Sequence, residues 1–176
     1  FDGDFSVEMW LQFTTAPAGS SAASPDNQCW FAIGANDFAF KGHDGKAQFI
    51  ETSVTILEPA AGYVADVWNH WALVRSGSTV TIYKDGTSLG TGTLSGATGS
   101  ATDTLSLGSI GTADVEFAGR MADARVSRVA RYTAAFTRPA GRLAPDANTA
   151  LLVQVASGGV IVDAATAALY QEHEEQ

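Results

Sequence analysis

The sequence predicts an all-β domain, a two-sheet antiparallel jelly-roll sandwich with at most one short helical turn. Three observations carry the prediction. Apolar and polar residues alternate over 5–13, where Phe5, Val7, Met9, Leu11 and Phe13 share one face. Around a dozen short strand-like segments follow, with Gly, Asn, Asp, Ser and Pro between them. No long amphipathic helix and no strand–helix alternation interrupts them. A chain of 176 residues, 45% hydrophobic and 16% charged, has material for one core. The domain is expected over 1–170, with an acidic tail at 171–176.

The remaining elements follow in order. Residues 16–28 are rich in Ala, Ser, Gly and Pro and read as a loop. Strands are predicted over 28–34, 38–41 and 46–51, joined at 34–37 and 42–45 by residues that tolerate positive φ. A brief strand over 54–57 precedes the loop that contains Pro59. Residues 68–75 carry bulky side chains on both faces, as in a central strand, and 80–84 pairs with them. Asp85-Gly86 marks a type I′ turn, so 71–89 reads as a hairpin meander. Further strands are expected over 104–108, 115–120, 121–127, 151–155 and 160–162, the 151–155 strand buried on both sides. A single helical turn is expected over 130–136, ended by Pro139.

Composition removes several function classes. The net charge is −9, and the arginines at 120, 125, 128 and 131 are interrupted by Asp123 and apolar residues, so no basic patch for nucleic acid forms. No apolar run approaches the roughly 18 residues of a membrane span. Cys29 is the single cysteine and sits in an apolar run, where a buried, inert thiol is the expectation. The chain opens at Phe1 with no secretory pattern and reads as part of a longer protein.

Several segments together resemble the laminin-G-like branch of the concanavalin A-like lectin/glucanase superfamily. They are Gly3-Asp4-Phe5-Ser6-Val7-Glu8-Met9-Trp10, Trp68-Asn69-His70-Trp71-Ala72-Leu73-Val74-Arg75, Ile82-Tyr83-Lys84-Asp85-Gly86, and Phe117 through Val126 after Leu105-Ser106-Leu107-Gly108. The segment Ala130-Arg131-Tyr132-Thr133-Ala134-Ala135-Phe136-Thr137-Arg138-Pro139 resembles one seen in bacteriophage versions of the domain. The resemblance implies a jelly roll and a virion or extracellular location. Its partners would be other virion proteins, copies of itself, or a cell-surface glycan.

Candidate sites are few. The glycan-cleaving members of that superfamily carry Glu-x-Asp-x-x-Glu, which is absent; Asp114 and Glu116 share a face only at a loop end. There is no Gly-x-Ser-x-Gly, no zinc spacing, and Gly90-x-Gly92 and Gly108-x-x-Gly111 read as turns. Calcium occurs in related folds, but Asp26, Asp37, Asp44 and Asp66 are dispersed, so no metal or other cofactor is predicted. His70 between two tryptophans reads as a packing histidine, and Trp10, Trp68 and Trp71 as core or sheet packing. Trp30 follows a loop and is a candidate for stacking on a sugar. Asp123 is expected to pair with Arg125 or Arg131. Tyr132, Phe136 and Pro139 read as a clasp over an open end of the core.

His43 and Asp44 at a hairpin tip, with Tyr63 from the loop 58–66, would offer an imidazole, a carboxylate and an aromatic face. They are the candidate ligand-binding residues, although turn chemistry alone also accounts for 42–45. The sequence therefore predicts a non-catalytic module: a phage tail-fibre or capsid-decoration domain with weak glycan binding. The alternative is a carbohydrate-binding or adhesion module of a bacterial extracellular protein, and third a glycan-cleaving enzyme with an unfamiliar site.

Overall fold

A computed structural model describes residues 3–18, 27–34, 37–98, 104–110, 116–156 and 158–165. Twelve strands form two antiparallel sheets. They are β1 (Phe5–Phe13), β2 (Gln28–Ile33), β3 (Phe38–His43), β4 (Lys46–Glu51), β5 (Val54–Leu57), β6 (Trp68–Ser76), β7 (Thr79–Lys84), β8 (Thr87–Thr93), β9 (Leu105–Leu107), β10 (Gly119–Ser127), β11 (Thr149–Val155) and β12 (Ile161–Asp163). One sheet has seven strands in the order β12-β11-β10-β1-β6-β7-β8, the other five in the order β5-β4-β3-β2-β9. The chain passes between the sheets four times, which is the jelly-roll path expected from the sequence. The acidic tail, Asp26 and Asp114 lie outside the described residues.

The inner faces bury Phe5, Val7, Met9, Leu11 and Phe13 of β1 against Trp30, Phe38, Phe40 and Phe49 of the smaller sheet. Rings meet edge to face, with Phe13 and Trp30 centroids 5.7 Å apart and Trp30 and Phe40 centroids 4.7 Å apart. Trp30 is thus fully buried. Its loop-adjacent position suggested a sugar platform, but a bulge between Cys29 and Phe31 interrupts the alternation of β2 and turns Trp30 inward beside Phe31, where it fills the centre of the core. Leu73, Val80, Ile82 and Val126 are buried in the same cluster, and Leu107 and Phe117 are half-buried against it. Leu152 is buried on the other side, with Leu143 and Ala165.

Four local expectations change. In place of two strands over 115–120 and 121–127 there is one, β10, which begins at Gly119 after the irregular residues 116–118. Positive φ at Asp123 (50°) kinks it without ending it. Residues 130–136 form bends rather than a helical turn. β11 is half-buried along most of its length instead of buried on both sides. Gly90 and Gly92 belong to strand β8, where a Cβ at Gly92 would stand 2.7 Å from the Ile56 carbonyl oxygen. The missing side chain lets β5 close against β8. At Asp85-Gly86 both φ values are positive (49° and 81°), as a type I′ turn requires.

The outer face of the larger sheet holds a buried carboxylate. Glu8 projects from the middle of β1, fully buried, with Arg125 opposite it on β10. Its Oε1 accepts from Arg125 Nε (3.0 Å) and Nη2 (2.7 Å). Its Oε2 accepts from the Tyr132 hydroxyl (2.8 Å) and lies 3.0 Å from His70 Nε2. His70 is therefore the hydrogen-bonded packing histidine expected. Burial alone would raise the Glu8 pKa, but the His70 hydrogen bond and the Arg125 charge outweigh it and hold the carboxyl below its ordinary 4.5. Arg131 bridges the same region to Asp146, at 2.7 Å and 2.9 Å.

Tyr132 and Phe136 lie over this network, stacked on each other with centroids 3.5 Å apart. They pack on Ala72, Val74 and Tyr83, so the clasp covers the outer face of the larger sheet, not an end of the core. Phe136 N donates to Gly86 O at 3.0 Å, and a Cβ at Gly86 would collide with the Phe136 carbonyl.

Arg125→Ala should cost about 3 kcal/mol in urea denaturation, because it leaves a buried carboxylate short of its cation. Tyr132→Ala and Phe136→Ala should each cost about 2 kcal/mol, since both rings are half-buried. The pH dependence has a definite sign. A carboxyl whose pKa falls on folding adds stability above its unfolded pKa and loses it as pH drops through the folded one. Thermal stability should therefore hold from neutral pH down to the ordinary carboxylate range and fall below it. Glu8→Gln should be less stable at pH 7 and show a shallower acid loss; an unchanged acid slope would locate that loss elsewhere.

Candidate functional site

The three residues singled out by sequence do meet at one end of the sandwich. His43 Nδ1 lies 2.8 Å from Glu58 Oε1, which also accepts from Gln48 Nε2 at 2.8 Å. Lys46 Nζ stands 3.6 Å from Glu58 Oε2 and 3.9 Å from Asp44 Oδ2. The loop after β5 joins this end as expected, with Ala61 N donating to Gly45 O. The Tyr63 hydroxyl donates to Lys46 O at 2.9 Å, but its ring is stacked on Trp71 at 5.5 Å and edge-on to Phe13 at 4.8 Å. Burial pushes its pKa well above the ordinary tyrosine value. The aromatic face belongs to the core, so the cluster is a polar rim whose ions already satisfy one another.

A cleft of about 760 Å³ lies elsewhere, within the size range of small-ligand sites. Its origin is in the strand register. β11 pairs with β10 only over Ala124–Ser127, ending at Ala124↔Val153. Gly119 through Asp123 continue along β1 on their other side, as in Ala122↔Trp10 and Met121↔Leu11. The two strands part there, and the cleft occupies the opening.

Arg142 spans the gap. Its Nε and Nη2 donate to Asp123 Oδ1 at 3.2 Å and 3.1 Å, and its Nη1 donates to the Val155 carbonyl at 3.1 Å. Asp123 Oδ2 accepts from Leu143 N at 2.8 Å. Asp123 therefore pairs with Arg142 and not with Arg125 or Arg131, whose guanidinium groups are committed to Glu8 and Asp146. Gln154 is held by the Leu143 carbonyl at 2.8 Å and also lines the cleft.

Trp68 and Trp10 form the aromatic wall. Trp10 is edge-on to His70 at 5.4 Å and carries the Arg138 guanidinium over its ring at 5.6 Å. Trp68 is the freer, 36% exposed at the start of β6. Reading it as core or sheet packing passed over a visible signal. With Trp71 and Leu73 inside, period two places Trp68, His70 and Ala72 outside. Arg142 and Gly141 gave no signal, since they lie in an irregular connection and reach the cleft only through the fold.

Chemically the cleft offers a ring face, a guanidinium, an amide and one carboxylate. Among the described lining residues Asp123 is the single acid. Its charge is engaged by Arg142 and the Leu143 amide, whereas paired-carboxylate hydrolysis needs two acids facing one bond. Glu116 is exposed. Among the described residues no three His, Cys, Asp or Glu side chains gather to hold a metal ion. The Cys29 thiol is fully buried, and desolvation pushes its pKa up to about 12.

Residues 2–135 match the Laminin G 3 family, described as the concanavalin A-like lectin/glucanases superfamily, and the chain belongs to that family. No curated protein matches it. Among solved structures, it resembles a candidate carbohydrate-binding protein from Bacteroides ovatus (TM-score 0.74, 17% identity), covering 93% of this chain and 50% of that one. It also resembles domain 4 of an extracellular arabinanase from Geobacillus stearothermophilus, solved with arabinotriose (TM-score 0.57, 17% identity, 73% and 62% covered). The sialidase CBM40 module of Ruminococcus gnavus, solved with α2,3 sialyllactose, is similar at TM-score 0.54 and 15% identity, with 75% and 79% covered. The chain thus spans half of the Bacteroides protein and under two thirds of the arabinanase domain chain. At these identities the likeness concerns the fold.

Asp123→Ala should destabilise the domain by about 1–3 kcal/mol, because the buried Leu143 amide loses its acceptor and Arg142 its anchor. Chemical denaturation reads this directly. Arg142→Ala, whose side chain is 60% exposed, should cost less than Asp123→Ala.

Proposed function

We propose that this domain is a non-catalytic carbohydrate-binding module of an extracellular protein, and that its ligand sits in the cleft between β10 and β11. One observation carries the reading: an exposed Trp68 faces a concave site with Arg142, Gln154 and a single engaged carboxylate. That combination supplies a hydrophobic ring face and oriented polar groups, but no acid–base pair. The superfamily and the named ligands or roles of the three similar structures support it. Binding at one such shallow site would be weak and would gain from repeated copies.

The virion-attachment reading draws on the resemblance of 130–139 together with the lack of a catalytic constellation, and the second ground fits a carbohydrate-binding module equally. In the fold those residues clamp the outer face of the larger sheet, a structural duty that accounts for their aromatic pair. The carbohydrate-binding reading is therefore preferred.

The test is a glycan array followed by calorimetric titration of the hits. Trp68→Ala should weaken binding about tenfold, equivalent to ~1.4 kcal/mol. Gly141→Leu should weaken it, because Gly141 lines the cleft and open space around its Cβ position lets a leucine be built there without a clash. His43→Ala and Asp44→Ala should leave it unchanged. Binding lost in the His43 and Asp44 variants but kept in Trp68→Ala would move the site to the hairpin end. Release of sugar from a polysaccharide panel would make the domain an enzyme.

A further inference from the structure

The cleft is chemically divided, and the division follows the two faces of the larger sheet. Trp10, Ala122 and Gln154 point to its outer side. Trp10 is paired with Ala122, while its neighbours Met9 and Leu11 lie in the core, and Gln154 sits between the inward Val153 and Val155. Trp68, Asp123 and Arg142 belong to this outer half. Leu107, Phe117, Met121 and Val153 pack against the core and form the inner half. Val155 continues the inner face by alternation, and Ile161 is its partner on β12.

The halves form one cleft because the β10–β11 ladder stops at Ala124↔Val153, which leaves the Arg142 side chain, and no ladder hydrogen bond, across the opening. The inner half is also unusually wet for its composition. Val155 is 51% exposed and Ile161 72%, two of the large apolar side chains most open to solvent among the described residues. Isolated exposed aliphatics need no explanation, but aliphatics converging in a cleft with Met121 and Phe117 leave apolar area for a ligand to cover.

We infer that the cleft takes an amphipathic glycan: a sugar held on the outer side by Trp68, Arg142 and Gln154, bearing an alkyl, acyl or aryl group that runs through the split onto Leu107, Phe117, Met121, Val153, Val155 and Ile161. The inference rests on the carbohydrate-binding reading and specifies the ligand's second half. A purely polar sugar would leave the inner half in water. A purely apolar ligand would have to cover the guanidinium of Arg142 and the amide of Gln154 without hydrogen bonds to them, which is costly. A sugar joined to an apolar group meets both demands. The apolar group could come from a glycolipid or from an acylated or aryl-substituted polysaccharide, and the chemistry at the cleft is shared.

The experiment uses n-alkyl β-glucosides and β-galactosides, from methyl to octyl, below their micelle-forming concentrations, with 1-octanol as the aglycone alone. Calorimetric affinity should rise about fourfold for each methylene buried, until the inner half is filled. Val155→Asp and Ile161→Asp, at exposed positions, should flatten that rise. Trp68→Ala should weaken every glycoside in the series. If the charge variants do not fold, the chain-length series on the unaltered protein decides alone. An affinity independent of chain length, with array hits still lost in Trp68→Ala, would overturn the amphipathic ligand and leave the glycan reading standing. Octanol binding as tightly as octyl glycosides, unaffected by Trp68→Ala, would overturn both. An acyl-glycolipid vesicle and an acylated polysaccharide, compared at equal ligand concentration, then separate the two sources.

Discussion

A carboxylate buried in the middle of a sheet face has to be neutralised from several directions at once, and Glu8 imposes that demand on this fold. Its partners come from three other parts of the chain: Arg125 on β10, His70 on β6 and Tyr132 in the clasp. Each bond fixes one neighbour of β1. The two strands flanking β1 are held in register by charge on one face and by Met9, Leu11 and Phe13 on the other. Well-packed apolar residues of similar volume would serve raw stability as well as a buried ion pair does, while removal of one partner is severe. What the network adds is position: Tyr132 reaches Oε2 only when the clasp lies across the sheet, which brings Phe136 onto Gly86 and Arg138 onto Trp10.

That arrangement links the structural face to the candidate site. Arg138, carried by the segment that follows Phe136, covers the Trp10 ring and pairs with Asp85 at 3.1 Å. Trp68 is left as the open aromatic beside the cleft. Further along the same sheet, the kink at Asp123 ends the β10–β11 ladder and frees a carboxylate to anchor Arg142. One left-handed residue thus produces both the opening and its polar wall. Of two sheets with seven and five strands, the larger extends past the smaller, so Met121, Val153 and Val155 receive only partial cover. The cleft is a consequence of unequal sheets plus one interrupted ladder.

Much of the fold was legible because side-chain alternation is a local property. The pattern over 5–13, the dense central strand at 68–75 and the Asp85-Gly86 turn each specify their own backbone, and the core residues Val7, Met9, Leu11, Leu73, Val80 and Ile82 follow from period two. Alternation also places Trp68 outside, whereas Trp30 turns inward only because a bulge between Cys29 and Phe31 interrupts it, which no local pattern shows. The joining of the His43 tip to the loop after β5 was also visible, since connection lengths constrain which ends can meet. The use of Tyr63 by the core was not, because an aromatic in a loop packs wherever the most apolar area is available.

Sequence alone determined the all-β class, the strand positions, the apolar faces, and the absence of a paired-carboxylate or nucleophile motif, all of which depend on residues within a few positions of one another. Only the tertiary structure decided which charges pair. Glu8 finds Arg125 across 117 positions and Asp123 finds Arg142 across 19, by competition among every arginine that the fold brings near. It likewise decided where the ladder between β10 and β11 stops, and so where a cavity opens. The ladder stops where the left-handed Asp123 kinks β10, and Leu143 and Arg142, which hold that residue, reach it only through the fold.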